Sequence, residues 1–168
     1  GLELRTGPLR GDFDPVTVIE ENGIRLIADL ENGQKTGYFL DQKENRLALR
    51  RYCKDAEVLD CFCNAGGFAL NAAAGGAKSV IAADISEKAL ADVRRAAELN
   101  GLDGIVKTEC GDVFELLRQY RAADRRFDVI VLDPPAFCKS ASDVKNALKG
   151  YRDINIQAMK LVRSGGFL

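Results

Sequence analysis

The chain has 168 residues, 46% of them hydrophobic and 29% charged, which is ordinary for one soluble globular domain. A chain of that size buries roughly 70% of the surface its unfolded form exposes, so a real core is available. A net charge of −1 does not advertise a nucleic-acid binder, although local patches matter more than the sum, and no apolar run approaches the roughly 18 residues of a membrane span.

Residues 1–15 are rich in Gly, Pro and Asp and read as a linker. VTVIE and IRLIADL then flank Glu21-Asn22-Gly23, and Asn-Gly between β-prone runs predicts a hairpin because both turn residues tolerate positive φ. KTGYFLDQ reads as a short extended piece and KENRLALRRYCKDA as a helix whose KENR start is exposed. The pattern changes at residue 57. EVLDCFC is a strand, GFALNAAA a helix closed by Gly75-Gly76, and SVIAADI a second strand. SEKALADVRRAAELNG is a helix with Ser86 as N-cap and Gly101 just past its end. GIVKTEC, DVFELLRQY and RFDVIVLD give a strand, a helix and an almost wholly apolar strand, the composition of a parallel sheet covered on both faces. A helical pattern runs from about Ser142 to Arg163, Gly165-Gly166 ends it, and Phe167-Leu168 begins a fifth strand.

Strands alternating with helices predict an α/β, Rossmann-like domain over 41–168, with a parallel doubly wound sheet, preceded by a hairpin and extended segment over 16–40. A last strand with no covering helix leads us to expect a domain that is incomplete at its C-terminus. The chemistry-bearing residues fall at the carboxyl ends of the strands, where such sheets bind ligands. Asp60 and Asp84 lie toward the ends of the first two strands, Asp112 follows the third, and Asp133 ends the fourth.

The stretch Asp60-x-x-x-Asn64-x-Gly66-Gly67 lets the backbone approach a ligand and then enters a helix. Asn64 stands where a dinucleotide loop has its first glycine, and Asn is the residue that best replaces Gly in a left-handed conformation. The G-x-G-x-x-G fingerprint is not met, and several aspartates are poor company for a pyrophosphate. A cationic ligand without phosphates fits better, and S-adenosylmethionine has a sulfonium, an ammonium, one carboxylate and an adenosine. Asp60 would attract the cationic part. Asp84 would accept the ribose hydroxyls, and Asp112 the adenine amino group, with Val113 or Phe114 over the ring. Each of these has a plain alternative: a tight strand–helix turn for the loop, and helix caps for Asp84 and Asp112. Asp133-Pro134-Pro135-Ala136-Phe137 is a rigid turn without two backbone donors, so its carbonyls only accept. Beside a carboxylate it suits an exocyclic amine, with Phe137 stacking on the base or walling it in; its alternative is a rigid turn with no ligand.

The sequence contains no histidine, which removes the commonest general base and every Ser-His or Cys-His triad. Five cysteines in no recognisable framework point to a reducing compartment, and with no secretory leader visible we expect a cytoplasmic protein. Cys61 and Cys63, two apart in a strand, are expected on one face as small core residues, and zinc-type paired spacing is absent. Basic residues at Arg46, Arg50, Arg51 and Lys54, and again at Lys139, Lys145, Lys149 and Arg152, flank the proposed mouth. They are read either as RNA phosphate contacts or as solvated helix faces.

Taken together, KTGYFLDQKENR, DCFCNAGGFAL, CGDVF and LDPPAF resemble the class I S-adenosylmethionine-dependent ribosomal RNA methyltransferases of the large-subunit cytosine-C5 type, over residues 16–168. The resemblance implies a class I methyltransferase fold and S-adenosylmethionine as cofactor. It implies cofactor contacts from Phe39, Asp41, Gln42, Arg46, Asp60, Phe62, Asn64, Ala65, Gly67, Asp84, Ile85, Asp112, Val113 and Asp133. Asp133 and Pro134 would border the transferred methyl, with Pro135 and Phe137 toward the substrate. It also implies ribosomal RNA as partner, and a homodimer is compatible with it. Two features depart from the family pattern: no PUA-like module precedes the hairpin, and the nucleophilic cysteine is expected past Leu168. Cys138 is a substitute at a position where the family requires no cysteine. Competing readings are methylation of an exocyclic amine through the Asp-Pro-Pro turn, a non-catalytic cofactor-binding module, and, furthest from the pattern, a nicotinamide oxidoreductase.

Overall fold

The computed structural model describes residues 11–168 apart from 13, 32, 34–36, 139, 141 and 142, so most of the expected linker lies outside the described residues. Strands β1 (Val16–Glu21) and β2 (Ile24–Asp29) pair antiparallel with Glu21 opposite Ile24. Asn22 (φ 55°) and Gly23 (φ 74°) both sit in the left-handed region that a two-residue hairpin turn demands. Of KTGYFLDQ, Lys35 and Thr36 lie outside the described residues, and the remainder is not extended. Leu40–Gln42 coil into a 3-10 turn that runs into α1 (Lys43–Leu49), tied by Asn45 Nδ2 donating to Gln42 Oε1 at 2.8 Å. The helix expected through residue 56 stops early. It tightens to a 3-10 turn at Arg50–Tyr52, and Asp55 takes a left-handed φ of 60°.

Five strands form the main sheet: β3 (Glu57–Cys61), β4 (Ser79–Asp84), β5 (Val106–Cys110), β6 (Phe127–Leu132) and β7 (Val162–Phe167). Their order is β5-β4-β3-β6-β7, and all pair parallel. The chain therefore winds outward from β3 to one edge and returns to β6 on the other side. That leaves a switch point between β3 and β6, where open α/β sheets place ligands beyond the carboxyl ends. Helices α2 (Gly67–Ala74) and α3 (Glu87–Leu99), with the hairpin, enclose one core layer built on Val58, Leu70, Leu90, Val93 and Leu26. Helices α4 (Val113–Ala122) and α5 (Val144–Leu161) enclose the other, built on Leu59, Leu117, Ile130 and Ile154.

Three expectations need correction. Cys61 and Cys63 are buried as expected but on opposite layers, because Phe62 adopts φ 60° and breaks the two-residue alternation. The last strand begins at Val162, directly after α5, and Gly165-Gly166 lie inside it. Phe127 pairs Val162 while Val129 pairs Phe167, so β7 bulges. A Cβ on Gly166 would come within 2.4 Å of the Asp128 carbonyl oxygen; glycine here marks a bulged, close-packed strand and not a helix end. The hairpin is also not a loose preface. Asn100 at the end of α3 accepts from Arg25 N at 2.9 Å through Oδ1 and donates to Arg25 O at 2.6 Å through Nδ2, imitating a strand partner. Among the described residues no helix is long and apolar enough to cross a membrane.

Candidate functional site

The loop after β3 has the backbone its sequence demands. Asn64 holds φ 48° and Gly66 φ 75° before α2 begins at Gly67. A Cβ on Gly66 would meet Val93 at 2.8 Å, so glycine is needed there twice over, for conformation and for the close approach of α3. Asp84, ending β4, fixes this loop from the side. Its Oδ2 accepts from Asn64 N and its Oδ1 from Ser86 N, both at 2.9 Å. Ser86, as expected, is the N-cap of α3, its Oγ accepting from Ala89 N. Asp84 is thus not the cap. It is a carboxylate with one lone pair used on each oxygen and the other still available to a ligand. A cleft of about 110 Å³ opens between the hairpin end, the loop and the start of α3, lined by Asn64, Ala65, Asp84, Lys88 and Asp29.

Asp60 lies deeper than expected. It is 1% exposed, and its Oδ2 accepts from Ala69 N at 2.9 Å beneath the loop. Burial pushes its carboxyl up to about 8, and the Asp133 and Asp84 charges add to the rise. Asp60 therefore lies beneath the loop and is not presented in the mouth. Asp133 is exposed just past β6, and desolvation followed by the Asp41 charge holds its carboxyl above the ordinary range. The fold has thus gathered Asp41, Asp60, Asp84 and Asp133 from four separate segments into one acidic neighbourhood.

Arg46 was expected as a cofactor contact, but its partners Glu21 and Tyr38 were not foreseen. Glu21, the last residue of β1, is 6% exposed and takes a bidentate ion pair from Arg46, Nε to Oε1 at 2.7 Å and Nη2 to Oε2 at 2.8 Å. Tyr38 donates its hydroxyl to Glu21 Oε1 at 3.0 Å and lies under the Arg46 guanidinium, 4.4 Å away. Arg46 Nη2 also donates to Phe39 O at 2.9 Å. Burial opposes ionisation of Glu21, but the Arg46 and Tyr38 hydrogen bonds outweigh it and hold the carboxyl below its usual value. Lys43, Glu44 and Asn45 form the exposed helical start the sequence suggests, but Arg46 turns inward: it is 3% exposed, and its Cδ would lie 2.8 Å from a Cβ on Gly67. The cluster thus holds the Phe39 carbonyl, just ahead of the 3-10 turn of Asp41 and Gln42, beside the start of α2. No local pattern announces it, since Glu21 stands beside a turn where polar residues are commonplace.

On the far side of β4, Ile85 is 72% exposed, an apolar side chain left open at a strand end. Asp112 caps α4, its Oδ1 accepting from Phe114 N at 2.8 Å and Glu115 N at 3.4 Å, so the plain reading of this residue holds for that oxygen. Val113 is buried in the core under α4, and the half-buried Phe114 packs against the same core. Phe137, expected to stack on a base or wall it in, is half-buried in an aromatic cluster of the protein's own. It packs on Tyr151 (ring centroids 4.5 Å), Phe114 (5.8 Å) and Phe62 (6.5 Å), and its backbone N–H donates to the Tyr151 hydroxyl at 3.2 Å. Phe137 thereby pins the Asp133–Pro135 turn to α4, α5 and the glycine loop. Asp133 and Pro135 remain exposed, and Pro134 is half-buried.

Cys53, Cys61 and Cys63 are buried, and burial pushes all three thiols up, Cys53 to about 11. None of them is a nucleophile. Cys138 is exposed, its Sγ 3.1 Å from Ser140 O. In the first basic group Arg51 and Lys54 are exposed, whereas the other two members are structural. Arg46 is buried, and Arg50 donates to Asn71 Oδ1 at 2.9 Å and to Asn22 O at 2.8 Å. Among the described residues no cluster of His, Cys, Asp and Glu could hold a metal ion.

With this geometry in hand, comparison with known proteins is direct. Residues 7–168 match the family model described as S-adenosylmethionine-dependent methyltransferase. The chain is 48% identical over its whole length to ribosomal RNA large subunit methyltransferase I of Klebsiella pneumoniae (strain 342), covering 42% of that protein. It is 47% identical to the protein of the same name from Escherichia coli (strain K12), again over its whole length, covering 43% of that protein. The crystal structure of SMU.776 complexed with SAH superposes with a TM-score of 0.81 at 29% identity, over 94% of this chain and 42% of that one. The chain thus spans less than half the length of the curated relatives it matches.

Proposed function

Because this chain belongs to the S-adenosylmethionine-dependent methyltransferase family, we propose that its acidic cleft holds the cofactor and that the whole protein methylates carbon 5 of a cytosine in large-subunit ribosomal RNA. The observation that carries this reading is Asp84. Its carboxylate is held by two backbone N–H groups at the rim of a left-handed Asn64 loop, beside the exposed Ile85. A carboxylate so fixed suits a diol, and an open apolar side chain next to it suits an aromatic ring. The relatives' names supply the ribosomal RNA, and SMU.776, a structure complexed with SAH, supports the cofactor class.

S-adenosylmethionine supplies an electrophilic methyl group on a sulfonium. The chain's own residues supply placement. Asp84 takes the ribose hydroxyls, Ile85 and Phe114 border the adenine, and Asp112 offers its remaining oxygen to the amino group. Phe39, Asp41 and Gln42, the first held by Arg46, close the cleft from the hairpin side, with Phe62, Asn64, Ala65 and Gly67 as its floor. Asp60 favours a cation nearby, because a positive charge lowers the cost of ionising it. Asp133 and the Pro134 carbonyl border the methyl, with Pro135 toward the base. Holding acceptor and methyl about 3 Å apart is the main catalytic contribution.

Carbon 5 of cytosine becomes nucleophilic once a thiolate adds at carbon 6 and forms an enamine. The three buried cysteines cannot do this, and the nucleophile is expected past Leu168. A second reading rests on the exposed Asp133 and the donor-free prolines, which suit an exocyclic amine and need no thiolate. The test is to incubate the protein in its natural full length with ribosomal RNA and cofactor, digest the RNA and analyse nucleosides by mass spectrometry. C5-methylcytidine supports the first reading and an N-methylated base the second. Cofactor binding without any transfer would leave a non-catalytic module. With the relatives' ribosomal RNA as substrate, the cytoplasm is the expected location.

A further inference from the structure

We infer that the exposed face of α5, carrying Lys145, Lys149 and Arg152, is the surface that holds the RNA phosphates; this rests on the RNA reading above. Two basic groups flank the mouth in sequence, and the structure separates them. In the first, Arg46 and Arg50 are consumed by hydrogen bonds to Glu21, Phe39, Asn71 and Asn22. In α5, Lys145, Lys149 and Arg152 are exposed and make no ion pair or hydrogen bond among the described residues. Their spacing of four and three residues puts them on one stripe of the helix. The single acid within α5, Asp153, is paired with Arg118 at 2.9 Å, an arginine it shares with Glu115, and Asp143 stands at the N-cap, so the stripe's three cations outnumber the acids of the helix and its cap.

Position completes the argument. As a crossover helix between parallel strands, α5 starts at the carboxyl end of the sheet, on the side of the turn that follows β6. It is also joined rigidly to the acceptor turn: Tyr151 stacks on Phe137 and its hydroxyl accepts from the Phe137 N–H, while a Cβ on Gly150 would sit 3.2 Å from the Phe137 ring. A polyanion lying on Lys145, Lys149 and Arg152 is thereby registered against Asp133-Pro134-Pro135. Phosphate contacts position a nucleic acid without reading its sequence, which is the task a catalytic cleft leaves to the surface around it.

The experiment is a titration of a fluorescein-labelled RNA hairpin of mixed sequence with the natural full-length protein, at several salt concentrations. The triple variant Lys145→Ala, Lys149→Ala, Arg152→Ala is expected to lower the slope of log affinity against log salt by about 2 to 3. It is expected to weaken binding roughly 10- to 100-fold near 0.1 M salt, whatever the hairpin sequence. Cofactor affinity should not change. The charge-retaining variant Lys145→Arg, Lys149→Arg, Arg152→Lys should keep the wild-type slope, which a merely structural role would not predict. Arg51→Ala, Lys54→Ala, removing the exposed members of the other group, should also keep it. An unchanged slope in the alanine triple variant overturns the assignment to α5. Wild-type protein that binds RNA at no salt concentration overturns the RNA reading itself.

Discussion

Strands β3 and β6 each carry an acid at both ends, and the two ends behave oppositely. At the amino end, Glu57 and Asp128 are tied to Arg163 at 2.9 and 2.8 Å, and Asp128 also accepts from Glu57 N at 2.8 Å. The Arg163 hydrogen bond depresses the Glu57 carboxyl, and the Glu57 N–H bond depresses that of Asp128. At the carboxyl end, Asp60 and Asp133 are both raised, by desolvation first and then by neighbouring carboxylates. A fold that merely needed its acids accommodated would treat both ends alike. Leaving one end electrostatically unsatisfied is a cost to stability, which a cation bound in the proposed site would relieve.

The contrast can be broken by mutation. The largest effect is expected at Glu21, because a buried ion pair that loses one partner leaves an uncompensated charge. Glu21→Gln should lower unfolding free energy by about 3 kcal/mol or more in a denaturant titration; a neutral result would detach the hairpin clamp from stability. Asp84→Ala removes an acceptor of two charge-assisted bonds and the proposed diol ligand. Cofactor affinity by calorimetry should fall by roughly 100-fold or more, and unchanged affinity removes that role from Asp84.

Asp60 gives a pH signature. Its carboxyl rises from an ordinary 3.8 to about 8 on folding, so between those values the native state holds a proton that the unfolded chain has released. Stability contributed by this group is therefore full below pH 4, falls as pH climbs toward 8, and is level above. Asp60→Asn should remove that slope, at most about 1.4 kcal/mol per pH unit. It should also remove any gain in cofactor affinity between pH 6 and 8, roughly the range where a cation draws the proton off. Thermal melts and calorimetry across pH read both, and an identical slope in the variant would sink the electrostatic account.

The smallest effect belongs to the amino end. Glu57 and Asp128 have depressed carboxyls, so their contribution is present above the unfolded value and disappears as pH falls through the folded one. Arg163→Ala should lower the melting temperature slightly at neutral pH, not at all at strongly acid pH, and less at high salt. A large loss at every pH would mean that Arg163 acts through packing.

The amino-acid sequence by itself determined the alternation of strands and helices, the Asn-Gly hairpin, the Ser86 cap and the left-handed Asn64 loop. Each is decided by backbone conformation and side-chain spacing within a few neighbouring residues. It also placed Asp84 and Asp133 at strand ends, since a strand's limits show in its apolar run. Only tertiary structure decided which acids face the cleft and which are buried, that Glu21 and Tyr38 grip Arg46, that Phe137 is walled in by Tyr151, and that Cys61 and Cys63 part to opposite layers. These facts depend on desolvation and on partners far apart in the chain. Burial of a charge or ring is a property of what packs around it, and no local window of sequence contains that.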